Sequence, residues 1–87
     1  MTNGWRLDIT PPARRDLRRL DPPIRRRVLE ALDELAADPL AANLVKLTGR
    51  PESRLRVGDW RVLVRLDHDE RIAVVIHIRP RGRAYDR

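Results

Sequence analysis

Apolar residues fall at every second position over Trp5–Ile9, so Trp5, Leu7 and Ile9 share a face and predict a first strand. The period then changes. Thr10 offers an N-cap, and Pro11 and Pro12 fill the first helical turn, where a missing N–H leaves no bond unmade. Ala13, Leu17 and Leu20 follow at helical spacing and predict a short helix to about Leu20. Asp21-Pro22-Pro23 repeats the start signal, and Ile24, Val28, Ala31, Leu32 and Leu35 carry a 3.6-residue stripe to about Ala37. Asp38-Pro39 stops it. The two helices form an antiparallel hairpin with one shared apolar side.

Leu40 to Thr48 reads as a connector with room for a helical turn, and Gly49-Arg50-Pro51 is a turn signal. Period two returns over Arg54–Leu66, which predicts two short strands joined by a tight turn at Gly58-Asp59. On the first, Arg54 and Arg56 oppose Ser53, Leu55 and Val57; on the second, Arg61, Leu63 and Arg65 oppose Trp60, Val62, Val64 and Leu66. After a polar turn at Asp67–Glu70, a last strand runs from Arg71 to Arg79. Strict alternation there puts Ile72, Val74, Ile76 and Ile78 on one face and Ala73, Val75, His77 and Arg79 on the other. Pro80 and Gly82 end it, ahead of a basic tail with Arg81, Arg83, Tyr85 and Arg87.

The order β-α-α-β-β-β predicts a single α+β domain over residues 1–87. Its antiparallel sheet is covered on one face by the helical hairpin, with the first strand pairing at an edge. The open face then carries Arg54, Arg56, Arg61, Arg65, His77 and Arg79. Like charges gathered on one sheet face repel unless something anionic sits there.

Composition sharpens that reading. Lys plus Arg number 19 against 13 Asp plus Glu, a net charge of +6, and every basic residue except Lys46 is an arginine. GC-rich codon usage also raises arginine, so counts alone assign nothing. The charge still favours a nucleic acid or an acidic protein as partner. The absence of cysteine excludes disulfides and thiolate chemistry. No metal site or cofactor motif is present. No apolar run has the length of a membrane span and the N-terminus lacks a signal-peptide core, so a cytoplasmic location is expected. With no Phe, one Tyr and two Trp, a base-stacking platform would have few members.

The string Arg54-Leu-Arg-Val-Gly-Asp-Trp-Arg61-Val-Leu-Val-Arg-Leu66, with Lys46-Leu-Thr-Gly49 before it and Ile78-Arg-Pro-Arg-Gly-Arg-Ala-Tyr85 after it, resembles the RelE/ParE superfamily. Within it, the closer likeness is to RelE-type toxins of type II toxin–antitoxin pairs, over essentially the whole chain. The resemblance implies a RelE-like fold. It also implies a small basic ribonuclease that enters the ribosomal A site and cuts the messenger there by attack of the ribose 2′-hydroxyl on the adjacent phosphate. By the motif match, Arg61 and Arg81 take the places of the family's strand and post-strand arginines, Tyr85 that of the C-terminal tyrosine, and Arg54 that of a second-strand lysine or arginine. These four are the expected catalytic set, with Lys46, Arg56, Arg65, Arg79 and Arg83 as expected RNA contacts. Arg79-Pro80 stands where relatives often have Gly-His, and Glu52 where some have a lysine, so proton-transfer groups are few. Expected partners are a cognate acidic antitoxin, messenger and ribosomal RNA, and operator DNA only through the antitoxin complex. A ParE-like gyrase inhibitor, or a weak member serving mainly in an autorepressor complex, is the alternative.

Each assignment has a plainer competitor. The competitor for Arg61 is an exposed strand arginine paired with Asp59 or Asp67, and His77, on the cationic face, reads as a structural histidine rather than a general base. His68 in its polar turn faces solvent. Arg14, Arg15, Arg18, Arg19, Arg25, Arg26 and Arg27 read as the solvated side of the helices.

Overall fold

The computed structural model describes residues 4–80. Strand β1 (Arg6–Ile9) leads into helices α1 (Pro11–Arg19) and α2 (Pro22–Ala37). A short β2 (Leu44–Lys46) and three longer strands follow: β3 (Glu52–Val57), β4 (Trp60–Asp67) and β5 (Ile72–Pro80). The α+β class and the helical hairpin are as expected. Two features of the sheet are not. It is mixed rather than wholly antiparallel, in the order β1-β5-β4-β3-β2, because β1 lies parallel to β5. The connector also supplies the edge strand β2, paired antiparallel with β3.

Local chemistry accounts for the helices. Thr10 has an extended backbone, its Oγ1 accepts the Ala13 N–H at 3.4 Å, and prolines fill the first two helical positions of α1. Asp21 stands at the N-cap of α2 without a side-chain cap bond. Arg25 is not a solvated residue as expected. Its guanidinium donates to the carbonyls of Leu17 (3.0 Å), Leu20 (2.8 Å) and Arg18 (3.3 Å). These carbonyls end α1, where the helix supplies few N–H partners, so Arg25 caps one helix from the other. The Asp38 carboxylate accepts the Leu40 N–H at 3.2 Å and turns the chain out of α2.

Ala13, Leu20, Val28, Leu32 and Leu35 from the helices pack on Leu55, Val62, Val64, Ala73, Val75 and Ile78 from the sheet, all essentially inaccessible to solvent. That set corrects the last strand. Ala73 and Val75, expected on the open face, are buried, whereas Val74 faces outward opposite Arg65. The cause is a bulge: Leu63 pairs with His77 but Val64 pairs with Val75, leaving Ile76 unopposed. Beyond it the faces exchange, so Ile78 is buried and His77 and Arg79 lie on the open side. Trp5 is half-buried and meets exposed His68 edge-on, with ring centroids 5.2 Å apart. Among the described residues, no helix is long and apolar enough to cross a membrane.

Candidate functional site

On the open face, register sets the side chains in three rows across β3, β4 and β5. Arg56, Arg61 and Arg79 stand abreast nearest the Gly58-Asp59 turn. Arg54, Leu63 and His77 form the next row, and Glu52, Arg65 and Val74 the third. Strand pleating puts each row on one side of the sheet, so alternation in sequence becomes a two-dimensional cationic surface.

A shallow pocket of about 250 Å³ opens on the middle row. Its floor is Leu63, its walls are Arg54, Arg61, His77 and Arg79, and Leu47 and Arg50 close it from the β2–β3 connection. Arg54 and Arg61 are half-buried, so their stems are ordered against the sheet while cationic groups face the pocket. Arg50 is steered by Glu52, whose Oε1 accepts its Nε–H at 3.1 Å.

His77 is the group that sequence reasoning set aside. It stands between two arginine-bearing positions on the pocket wall, and its Nδ1 is buried with no hydrogen-bond partner among the described residues. Burial holds its pKa below the ordinary histidine value, with Arg79 and Arg50 pushing the same way against the opposing pull of Asp16. The imidazole is therefore neutral near pH 7 and offers a lone pair to a proton. Alternation placed it on the open face together with Val75, which is buried; the bulge that separates the two, and the partial burial and neutrality of His77, were not legible.

Of the residues expected to carry function, Arg54, Arg61 and Arg79 meet in this pocket. Arg56 and Arg65 flank it as exposed side chains on the same face. Lys46 does not join them. It pairs with Ser53, which shares the core side with Leu55, and it lines a groove with Pro39, Leu40 and Leu44 on the other side of the sheet. Arg81, Arg83 and Tyr85 lie outside the described residues. Chemically, fixed guanidinium groups around a neutral imidazole suit a phosphodiester whose negative charge grows during reaction.

A family model described as the ParE toxin of the type II toxin–antitoxin system ParDE matches residues 7–85. Among solved structures, the chain is similar to the archaeal RelE–RelB complex from Pyrococcus horikoshii, with a TM-score of 0.81 and 28% identity over 92% of this chain and 98% of that one. It is similar to the toxin–antitoxin complex RelBE2 from Mycobacterium tuberculosis, with a TM-score of 0.76 and 29% identity over 90% of this chain and 99% of that one. The isolated RelE toxin of E. coli shares the fold at a TM-score of 0.74 and 23% identity, over 93% of this chain and 88% of that one. No curated protein matches the chain in sequence.

Proposed function

We propose that this chain, which belongs to the ParE toxin family within the RelE/ParE superfamily of type II toxin–antitoxin systems, acts as a ribosome-dependent messenger RNA endonuclease. The observation that carries the reading is the pocket on the open face, where Arg54, Arg61, His77 and Arg79 converge. The messenger's backbone lies across the arginine rows, and the scissile phosphate sits against Arg61 and Arg54. The 2′-oxygen of the preceding ribose attacks phosphorus, the bond to the 5′-oxygen breaks, and a cyclic phosphate and a free 5′-hydroxyl result.

Arginine stays protonated throughout, since its pKa exceeds about 12. Arg61 and Arg54 therefore stabilise the phosphorane, whose charge exceeds that of the ground state. Neutral His77 takes the 2′-hydroxyl proton, adding a general base to the few proton-transfer groups that the motif match supplied. Arg81 and Tyr85 complete the set by their motif positions, Arg81 as a second phosphate clamp and Tyr85 as proton donor to the leaving oxygen. A cognate antitoxin restrains the toxin, in keeping with the toxin–antitoxin complexes among the similar structures.

The family model's ParE description favours a second reading, inhibition of DNA gyrase by protein contact. One experiment separates the two. After induction, messenger 5′ ends mapped on translating ribosomes should show A-site cleavage, abolished by Arg61→Ala. Intact messengers with DNA breaks at gyrase sites would overturn the endonuclease in favour of the inhibitor.

A further inference from the structure

The pocket depends on a local irregularity, and that irregularity is held from the other end of the chain. In a regular strand His77 and Arg79 would share the face of Val75 and point into the core. The unopposed Ile76 reverses them. Pairing with β1 ends at Ile9–Val75, so the outer edge of β5 beyond that point has no neighbouring strand. The start of α1 takes its place. The Thr10 backbone N–H donates to the Val75 carbonyl at 3.1 Å. Its hydroxyl lies 2.9 Å from the Val75 carbonyl and 3.0 Å from the Ile76 carbonyl. Consecutive carbonyls of a regular strand point to opposite edges, so two converging on one hydroxyl mark the reversal. Two residues on, the Ile78 N–H donates to Asp16 Oδ2 at 2.9 Å, and the same oxygen lies 4.0 Å from Arg79 Nε.

We infer that Thr10 and Asp16 are positioning residues that clamp the bulge at Ile76 and thereby present His77 and Arg79 to the RNA-facing pocket. The functional half of this inference rests on the endonuclease reading; the clamp itself does not. Thr10 supplies donors to the Val75 and Ile76 carbonyls, and Asp16 supplies the Ile78 N–H with an acceptor. Neither lines the pocket: Thr10 acts through the β5 backbone, and Asp16 through that backbone and through Arg79.

The test uses NMR of the purified toxin, reading the His77 imidazole titration and the exchange rate of the Ile78 amide. Thr10→Val keeps the branched shape and removes the hydroxyl. It should move the His77 titration up towards that of a solvated histidine and speed Ile78 exchange at least tenfold, and Thr10→Ser should restore both. Asp16→Ala should speed Ile78 exchange, whereas Asp16→Asn keeps an acceptor and should leave it protected, while lowering the His77 titration further because a carboxylate charge is gone. This pair carries the test if Thr10→Val does not fold. Leu32→Val, a destabilising change in the core that touches none of the clamp's hydrogen bonds, should leave His77 where it is. The inference is overturned if Thr10→Val and Asp16→Ala leave both readouts unmoved, or if Leu32→Val moves them equally. Should the NMR changes appear in a toxin that cuts no messenger, the clamp stands and the endonuclease reading fails.

Discussion

Arg56, Arg61 and Arg79 stand directly abreast on three neighbouring strands, with Arg61 in the middle. Replacing Arg61 with threonine, a good strand former, removes the charge common to both cross-strand pairs. Like charges directly opposite each other cost on the order of 0.2–1 kcal/mol per pair. Relief of both is worth about 0.4–2 kcal/mol, set against the packing and the partner interactions lost with the half-buried arginine in the free toxin. For a domain of this size each 1 kcal/mol of that relief is roughly 4–8 °C in Tm. The relief is electrostatic, and the Debye length falls from about 10 Å at 0.1 M salt to about 3 Å at 1 M. It should therefore shrink markedly in 1 M NaCl. The same change removes a fixed guanidinium from the pocket and should lower cleavage about 10²–10³-fold, the usual effect of deleting one preorganised donor. Thermal melts of both proteins at the two salt concentrations, beside primer extension on ribosome-bound messenger, measure the two arms. A variant less stable at 0.1 M, by an amount indifferent to salt, would refute the repulsive row. Cleavage within about threefold of the parent would refute Arg61's place at the reacting charge. Both results arriving as expected would mean that this face is kept cationic for function at the expense of stability.

His77→Gln should lower cleavage by about 10²–10⁴-fold and flatten the acid limb of the pH–rate profile, which in the parent rises as the imidazole deprotonates and is level by about pH 7. Because the folded-state pKa is depressed, the unfolded chain binds the His77 proton more readily. The stability that neutral His77 contributes is present above about pH 6.5, the ordinary histidine value, and is lost as pH falls through the lower folded value. Urea melts at pH 8 and pH 5 should thus show His77→Gln gaining on the parent at acid pH, and a pH-independent difference would sink the assignment. Gly58 turns the β3–β4 hairpin at φ 59°, with a built Cβ 2.9 Å from the Arg27 guanidinium. That flexible end can swing aside, so Gly58→Ala should cost about 1–2 kcal/mol from backbone strain alone, and Gly58→Asn less, by the same melts. Leu32 is fully buried between the helices and the sheet, and Leu32→Ala should destabilise by about 2–5 kcal/mol without altering the ionic-strength dependence of RNA binding.

Much of this molecule is written in short-range patterns. Thr10-Pro-Pro and Asp21-Pro-Pro set the helix starts because capping and proline geometry act within one turn. The stripe ending at Leu35 chose the face that packs, and alternation around Gly58 placed Arg54, Arg56, Arg61 and Arg65 together on the open side. Those features need only neighbours in sequence. The tertiary structure decided what depends on distant partners. Strand period is two, so a one-residue slip exchanges every face beyond it. No local pattern in Ile72–Ile78 announces such a slip, because the groups that secure it, Thr10 and Asp16, lie 62 or more residues away. Pairing likewise sent Lys46 to the opposite side of the sheet by matching it with Ser53, and set β1 parallel to β5. The cationic strand hairpin was fixed by its own sequence; a bulge clamped by a helix start brought the histidine to it.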